Sequence, residues 1–140
     1  MRREYIPKAL RDEVEKLSNG CCEYCKLLQK YSAGVFANEH IVPLVEGGKN
    51  ELDNLAKACI RCNGTKYTAT VALDPISNQI VPLFHPRKND WYEHFKWSDD
   101  FLKIKGITPT GRATIIRLTM NQERTVNIRR ISFGKGHPPE

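Results

Sequence analysis

The chain has 140 residues, near the commonest size for one domain, with 40% hydrophobic and 27% charged residues, an ordinary composition for a folded globular protein. No apolar run approaches the roughly 20 residues that span a bilayer, and Met1-Arg2-Arg3-Glu4-Tyr5 lacks the apolar stretch of a secretory signal. The expectation is a cytoplasmic protein with no membrane partner. The formal charge is +6, and residues 101–135 taken alone carry a balance of about +7, which points to a polyanionic partner.

Pro7, followed by Leu10, Val14 and Leu17 at helical spacing, predicts a short amphipathic helix that Gly20 ends. It delivers the chain to Cys22-Glu23-Tyr24-Cys25, the first of two C-x-x-C knuckles; the second is Cys59-Ile60-Arg61-Cys62. That spacing lets two thiolates grip one tetrahedral Zn²⁺ from a tight turn, and a reducing compartment disfavours disulfides. Cys22, Cys25, Cys59 and Cys62 are therefore expected to hold a structural zinc, with 33 residues inserted between the pairs. Cys21 is left without a role.

Between the knuckles, Val35-Phe36-Ala37 leads into Glu39-His40-Ile41-Val42, which predicts a first strand limited by Pro43. Residues 45–50, with Gly47-Gly48 and Asn50, are turn chemistry. Residues 55–58 predict a second strand, and residues 61–69 a short helix that Gly64 weakens.

Asp74-Pro75 starts a turn, and residues 79–81 predict a brief edge strand stopped by Pro82. Trp91, Tyr92, Phe95 and Trp97 supply aromatic surface for a core, and residues 101–104 alternate like a strand. Thr110-Gly111-Arg112 opens a helix carrying Ile115, Ile116, Leu118 and Met120. Asn121 is placed to cap a further helix over 122–131, where the alternation of Val126 and Ile128 also allows a strand. The Gly- and Pro-rich tail 134–140 is expected to fray, His94 to be a packed core histidine, and His85 and His137 carry no signal.

The ordered run Cys22-x-x-Cys25, Glu39-His40-Ile41-Val42-Pro43-Leu44, Gly47-Gly48, Asn54-Leu55, Ala58-Cys59-x-x-Cys62-Asn63 and Lys66 resembles the HNH endonuclease family. The likeness covers about residues 20–68. Leu83-Phe84-x-Pro86-Arg87, Trp91-x-x-His94-Phe95 and Gly111-Arg112-Ala113-Thr114 are similar to the C-terminal extension of small bacterial HNH proteins.

The resemblance implies an α+β chain with a ββα-metal (His-Me finger) core, residues 1–70, and a small mixed, basic C-terminal extension, residues 71–140, packed on it. It implies that Glu39 and Asn63 bind one catalytic Mg²⁺ or Mn²⁺, a hard ion suited to a carboxylate and a neutral amide oxygen. Asn54 would tie down the loop and orient the His40 ring. The chemistry asks for these residue types in any case: hydrolysis of a phosphodiester needs a base near neutral pH, which His40 provides, and a positive centre for the developing charge. Lys66, Arg61 and Arg87 are the candidate phosphate contacts.

The expected function is a metal-dependent endonuclease acting on nucleic acid, DNA by resemblance. The rival is a catalytically silent zinc-containing module that binds nucleic acid through its basic half. A toxin-like or mobile-element nuclease would differ in biology and not in chemistry, and the sequence sets no oligomeric state.

Overall fold

The computed structural model describes residues 5–139. The first helix, α1 (Lys8–Ser18), starts directly after Pro7, whose φ of −58° is already close to helical. It stops at Asn19, which takes a left-handed conformation with φ 53°. Val14 and Ser18 are its buried positions, while Leu17 faces out.

Two short strands, β1 (Ala37–His40) and β2 (Leu55–Ala58), pair antiparallel with Glu39 opposite Ala56 and His40 opposite Leu55. All four β2 positions are buried, and α1 covers β2 from one side. The helix α2 (Ile60–Lys66) follows, with the Cys59 sulfur accepting a hydrogen bond from the Cys62 N–H at 3.4 Å as its N-cap.

The first strand is shorter at both ends than the expected 35–42: Val35 is exposed, and Ile41 and Val42 leave the ladder. The cause is Asn54, whose Oδ1 accepts from the Val42 N–H at 2.8 Å while its Nδ2 donates to the carbonyls of Val42 and Lys49, each at 3.0 Å. A side chain thus satisfies the backbone that a strand neighbour would otherwise pair. Gly48 closes this loop against Val42, where a Cβ would come within 1.8 Å of the Val42 oxygen, so only glycine fits.

The second half adds two further antiparallel pairs and three helices. A hairpin joins β3 (Val71–Asp74) to β4 (Gln79–Pro82), then α3 (Trp91–His94) leads into β5 (Phe95–Trp97), which pairs with β6 (Ile104–Gly106). The helices α4 (Pro109–Leu118) and α5 (Glu123–Ser132) complete the chain. Thr108 caps α4 by accepting from Gly111 N–H at 3.0 Å, with Pro109 at the first helical position.

Asp74, fully buried, receives two hydrogen bonds of 2.9 Å from the Arg112 guanidinium and so ties the hairpin to α4. Gly111 lets α4 approach α3, since a Cβ there would lie 2.0 Å from the His94 oxygen. Cys22, Tyr24, Phe84, Trp91, Phe95, Ile104, Leu118 and Met120 pack into one core that residues from both halves of the chain build.

Several sequence expectations for this half are corrected. Strand β3, with half-exposed Val71 and Leu73, was not foreseen, and the strand expected at 101–104 begins only at Ile104 because Phe101 bends the chain at φ 62°. Asn121 caps no helix: its amide bridges the N–H and C=O of Ile104, both at 2.8 Å, and Gln122 stands at the helix start. The segment 122–131 takes the helical alternative. The tail is not frayed through its length, since His137 is buried, donates from Nε2 to the Phe101 carbonyl at 2.6 Å and sets its ring edge-on to Trp97. No helix among the described residues is long and apolar enough to cross a membrane.

Candidate active site and metal centre

The knuckle sulfurs converge. Cys22, Cys25, Cys59 and Cys62 are all buried with their Sγ atoms within 4.8 Å of one another, and Cys25 and Cys59 approach to 3.7 Å. A tetrahedral zinc with Zn–S bonds of about 2.3 Å needs sulfur–sulfur edges of about 3.8 Å. In each knuckle the second cysteine's N–H points at the first sulfur, at 3.5 Å from Cys25 to Cys22 and 3.4 Å from Cys62 to Cys59. Hydrogen bonding with Cys22, foremost among its sulfur neighbours, drives the Cys59 thiol far down and drives Cys25 and Cys62 well up. Four thiolates so close need a cation between them, and the set suits a structural zinc.

Arg129 supplies a second charge to this centre. Its side chain is fully buried, donates to the carbonyls of Cys25, Leu102 and Met120 and to Asn121 Oδ1, and lies 5.4 Å over the Trp97 ring. Burial pulls its pKa down, and the neighbouring sulfurs push it back. Tetrathiolate zinc carries a net −2, so a buried guanidinium beside it is electrically reasonable.

Glu39, His40 and Asn63 line a second feature, a cleft of about 870 Å³ that also exposes Arg11, Tyr5 and Tyr67. His40 ends β1 half-buried, and its Nε2 lies 2.5 Å from Asn50 Oδ1. The other end of the same amide, Nδ2, donates to the Tyr5 carbonyl at 3.1 Å, which fixes the amide's orientation. An amide oxygen only accepts, so Nε2 carries a proton, and in the neutral form of the ring the lone pair is on Nδ1.

Glu39 is buried beneath this edge of the cleft. Its Oε2 accepts from the Tyr24 hydroxyl at 2.6 Å, and its Oε1 lies 2.6 Å from Lys66 Nζ yet has no well-directed hydrogen bond. Burial pushes the Glu39 carboxyl up, and the Lys66 ammonium offsets part of that push. Burial and the Glu39 charge together raise the Tyr24 hydroxyl well above its usual range. Glu39 and the Asn63 amide line the same cleft and offer oxygen donors of the type a hard divalent cation takes, although the Glu39 oxygens are already engaged by Tyr24 and by the Lys66 ion pair.

Two of the expected phosphate contacts are corrected. Lys66 is 1% exposed, and its ammonium is spent on Glu39 and on the Ile41 carbonyl at 2.9 Å. Arg87 forms a two-pronged ion pair with Glu23 at 2.5 and 2.9 Å and donates to the Leu52 carbonyl. Both are structural cations. Arg61 is exposed on α2 but does not line the cleft.

Asn54 clamps the loop after His40, as the resemblance implied, but it is Asn50 that holds the imidazole. Asn50 was read only as a turn residue, and Arg11 was missed because nothing in the sequence brings α1 to the cleft. His94, half-buried with Nδ1 2.7 Å from Thr108 Oγ1, and His85, whose Nδ1 accepts from the Arg87 and Lys88 N–H groups at 3.2 Å, stabilise turns. Cys21 is buried in a bridge with Leu28 outside the sulfur cluster.

With this geometry in place, the comparisons are specific. Residues 22–68 match the family model described as HNH endonuclease. The matched segment is similar to an HNH endonuclease domain and spans about a third of the chain. No curated protein and no solved structure matches the chain. The matched segment holds all four knuckle cysteines together with Glu39, His40, Asn54 and Asn63, and the similarity points toward nucleic acid, by cutting or by binding.

Proposed function

We propose that the cleft is the active site of a metal-dependent endonuclease, with β1, β2 and α2 forming a ββα-metal core and DNA as the substrate. The observation that carries this reading is the contact of His40 Nε2 with Asn50 Oδ1, which in the neutral ring leaves the lone pair on Nδ1 of a side chain that lines the cleft. That is the state a general base needs at neutral pH.

In the reaction, Nδ1 of His40 takes a proton from a water that adds to the phosphorus, one ester P–O bond breaks, and the leaving oxygen takes a proton from solvent. Asn50 keeps the ring in the proton-accepting tautomer, and Asn54 holds the loop behind it. Glu39 and Asn63 would hold one Mg²⁺ or Mn²⁺, which supplies electrostatic stabilisation of the charge building on the phosphoryl and leaving oxygens.

One observation favours the rival reading, a silent zinc module: Lys66 already compensates the charge of Glu39. Plasmid nicking separates the two. Cutting that depends on Mg²⁺ or Mn²⁺ and disappears in His40→Ala supports the enzyme; nucleic-acid binding with no cutting under any divalent metal supports the module.

A further inference from the structure

The walls of the cleft say more about its substrate than its catalytic residues do. Phe36, Pro43, Leu44 and Val45 give it apolar surface, and Arg11 is the sole Lys or Arg among the described residues that line it. The grip of a nucleic-acid duplex rests largely on cations that neutralise several phosphates at once. One guanidinium neutralises about one phosphate, so the described lining suits a single phosphate contact beside something with a flat apolar face.

Tyr67 provides the matching surface. It lines the cleft with 74% of its area exposed, directly after α2, at φ 51° and ψ −116°, a backbone region that side chains rarely adopt. The residues just before it are held in place. Lys66 is anchored in the core by Glu39, the Tyr67 N–H closes on the Asn63 carbonyl at 3.1 Å, and Arg117 of α4 clamps the carbonyls of Thr65 and Lys66 at 3.0 and 3.4 Å. Asn63 is thus tied by the main chain to Tyr67, a strained and largely exposed residue whose aromatic side chain lines the cleft.

We propose that the cleft takes an unpaired nucleotide, its base stacked on the Tyr67 ring and its neighbouring phosphate held by Arg11, so that the substrate is a single strand or an unpaired stretch within a duplex. This rests on the nuclease reading for the position of the scissile bond, and not for the binding itself. Base stacking on an aromatic ring tolerates every base, so the preference is for unpaired structure and not for sequence.

The test uses the full chain carrying His40→Ala, which binds without cutting, and labelled oligonucleotides of one sequence as single-stranded DNA, single-stranded RNA, perfect duplex and duplex with a central bulge. Anisotropy should show tighter binding to both single strands or to the bulge than to the perfect duplex. Tyr67→Leu, checked for unchanged zinc content and circular dichroism, should weaken single-strand binding roughly 5- to 100-fold and leave duplex binding unchanged. Tyr67→Phe should retain it. Arg11→Gln should lower the salt slope by about one unit. A fluorescent adenine analogue in the strand should be quenched on binding and lose that quenching in Tyr67→Leu.

Equal affinity for the perfect duplex, or full quenching in Tyr67→Leu, overturns the proposal. In cleavage assays with His40 intact the two readings fail separately: perfect duplex cut as fast as single strands, by wild type and Tyr67→Leu alike, sinks the substrate class and leaves the nuclease. Selective binding of unpaired strands with no cutting does the reverse. A difference between the DNA and RNA arms names the sugar the cleft accepts.

Discussion

Asn50 Oδ1 accepts the Nε2 proton of His40 at 2.5 Å while the opposite end of the same amide donates to the Tyr5 carbonyl at 3.1 Å. A two-ended hold of this kind decides which ring nitrogen is basic, because a reversed amide would set a donor against Nε2. In Asn50→Leu the imidazole is free to rotate and to populate both tautomers, and metal-dependent cleavage should fall about 10- to 100-fold with substrate affinity and zinc content unchanged. Single-turnover rates at saturating protein measure this; a rate equal to wild type would remove Asn50 from the account.

Lys66 and Glu39 form a buried pair with side chains 1% and 4% exposed, and removing one partner leaves the other charged and dry. Lys66→Met should cost about 3–5 kcal/mol of stability by urea unfolding, and the double variant Lys66→Met/Glu39→Gln should recover much of that loss. Loss in the double variant equal to the sum of the two single losses would show that the pair acts independently. The raised Glu39 carboxyl has its own consequence: stability arising from that shift is present below the unfolded value of 4.5 and lost as pH rises through the higher folded value.

Asp74 behaves in the opposite sense. The Arg112 guanidinium, first among its partners, holds the Asp74 carboxyl well below its usual 3.8. Its contribution is therefore complete above that value and lost as pH falls through the lower folded one. Asp74→Asn should be destabilised near neutral pH, and the gap to wild type should close in acid. Urea midpoints across an acid-to-neutral series check this, and a gap that stays constant into strong acid would contradict it.

Arg129 links the sulfur cluster to the C-terminal helices through its bonds to the carbonyls of Cys25, Leu102 and Met120. In Arg129→Met these buried carbonyls lose their donor and the thiolates lose their nearest counter-charge. The variant should be destabilised by about 3 kcal/mol or more. It should also surrender zinc to a chelator sooner than wild type, and Arg129→Lys should rescue only part of this, since an ammonium lacks the planar fork. Zinc release followed with a colorimetric chelator is the measurement; equal release rates would remove the electrostatic role.

The pattern that was legible in the sequence is local. Cys22, Cys25, Cys59 and Cys62 announce themselves by spacing, β2 by an unbroken buried run, and α1 by Pro7 and Gly20. What the residues from distant parts of the chain do to one another was not legible. Lys66, Arg87 and Arg129 look like surface cations by type, and only the fold supplies Glu39, Glu23 and the sulfur cluster as their partners. His137 gave no signal because its carbonyl acceptor is Phe101, 36 positions away. β1 was drawn too long for a similar reason, since the Asn54 side chain replaces the ladder at Val42.

Chemical rescue tests the base most directly. In His40→Gly the cleft gains room for free imidazole, and a missing base can be supplied from solution. The account predicts that His40→Gly has lost metal-dependent cleavage of an oligonucleotide, and that added imidazole restores it in proportion to its unprotonated form while leaving wild type unaffected. Cleavage by His40→Gly at the wild-type rate, without imidazole, would contradict it.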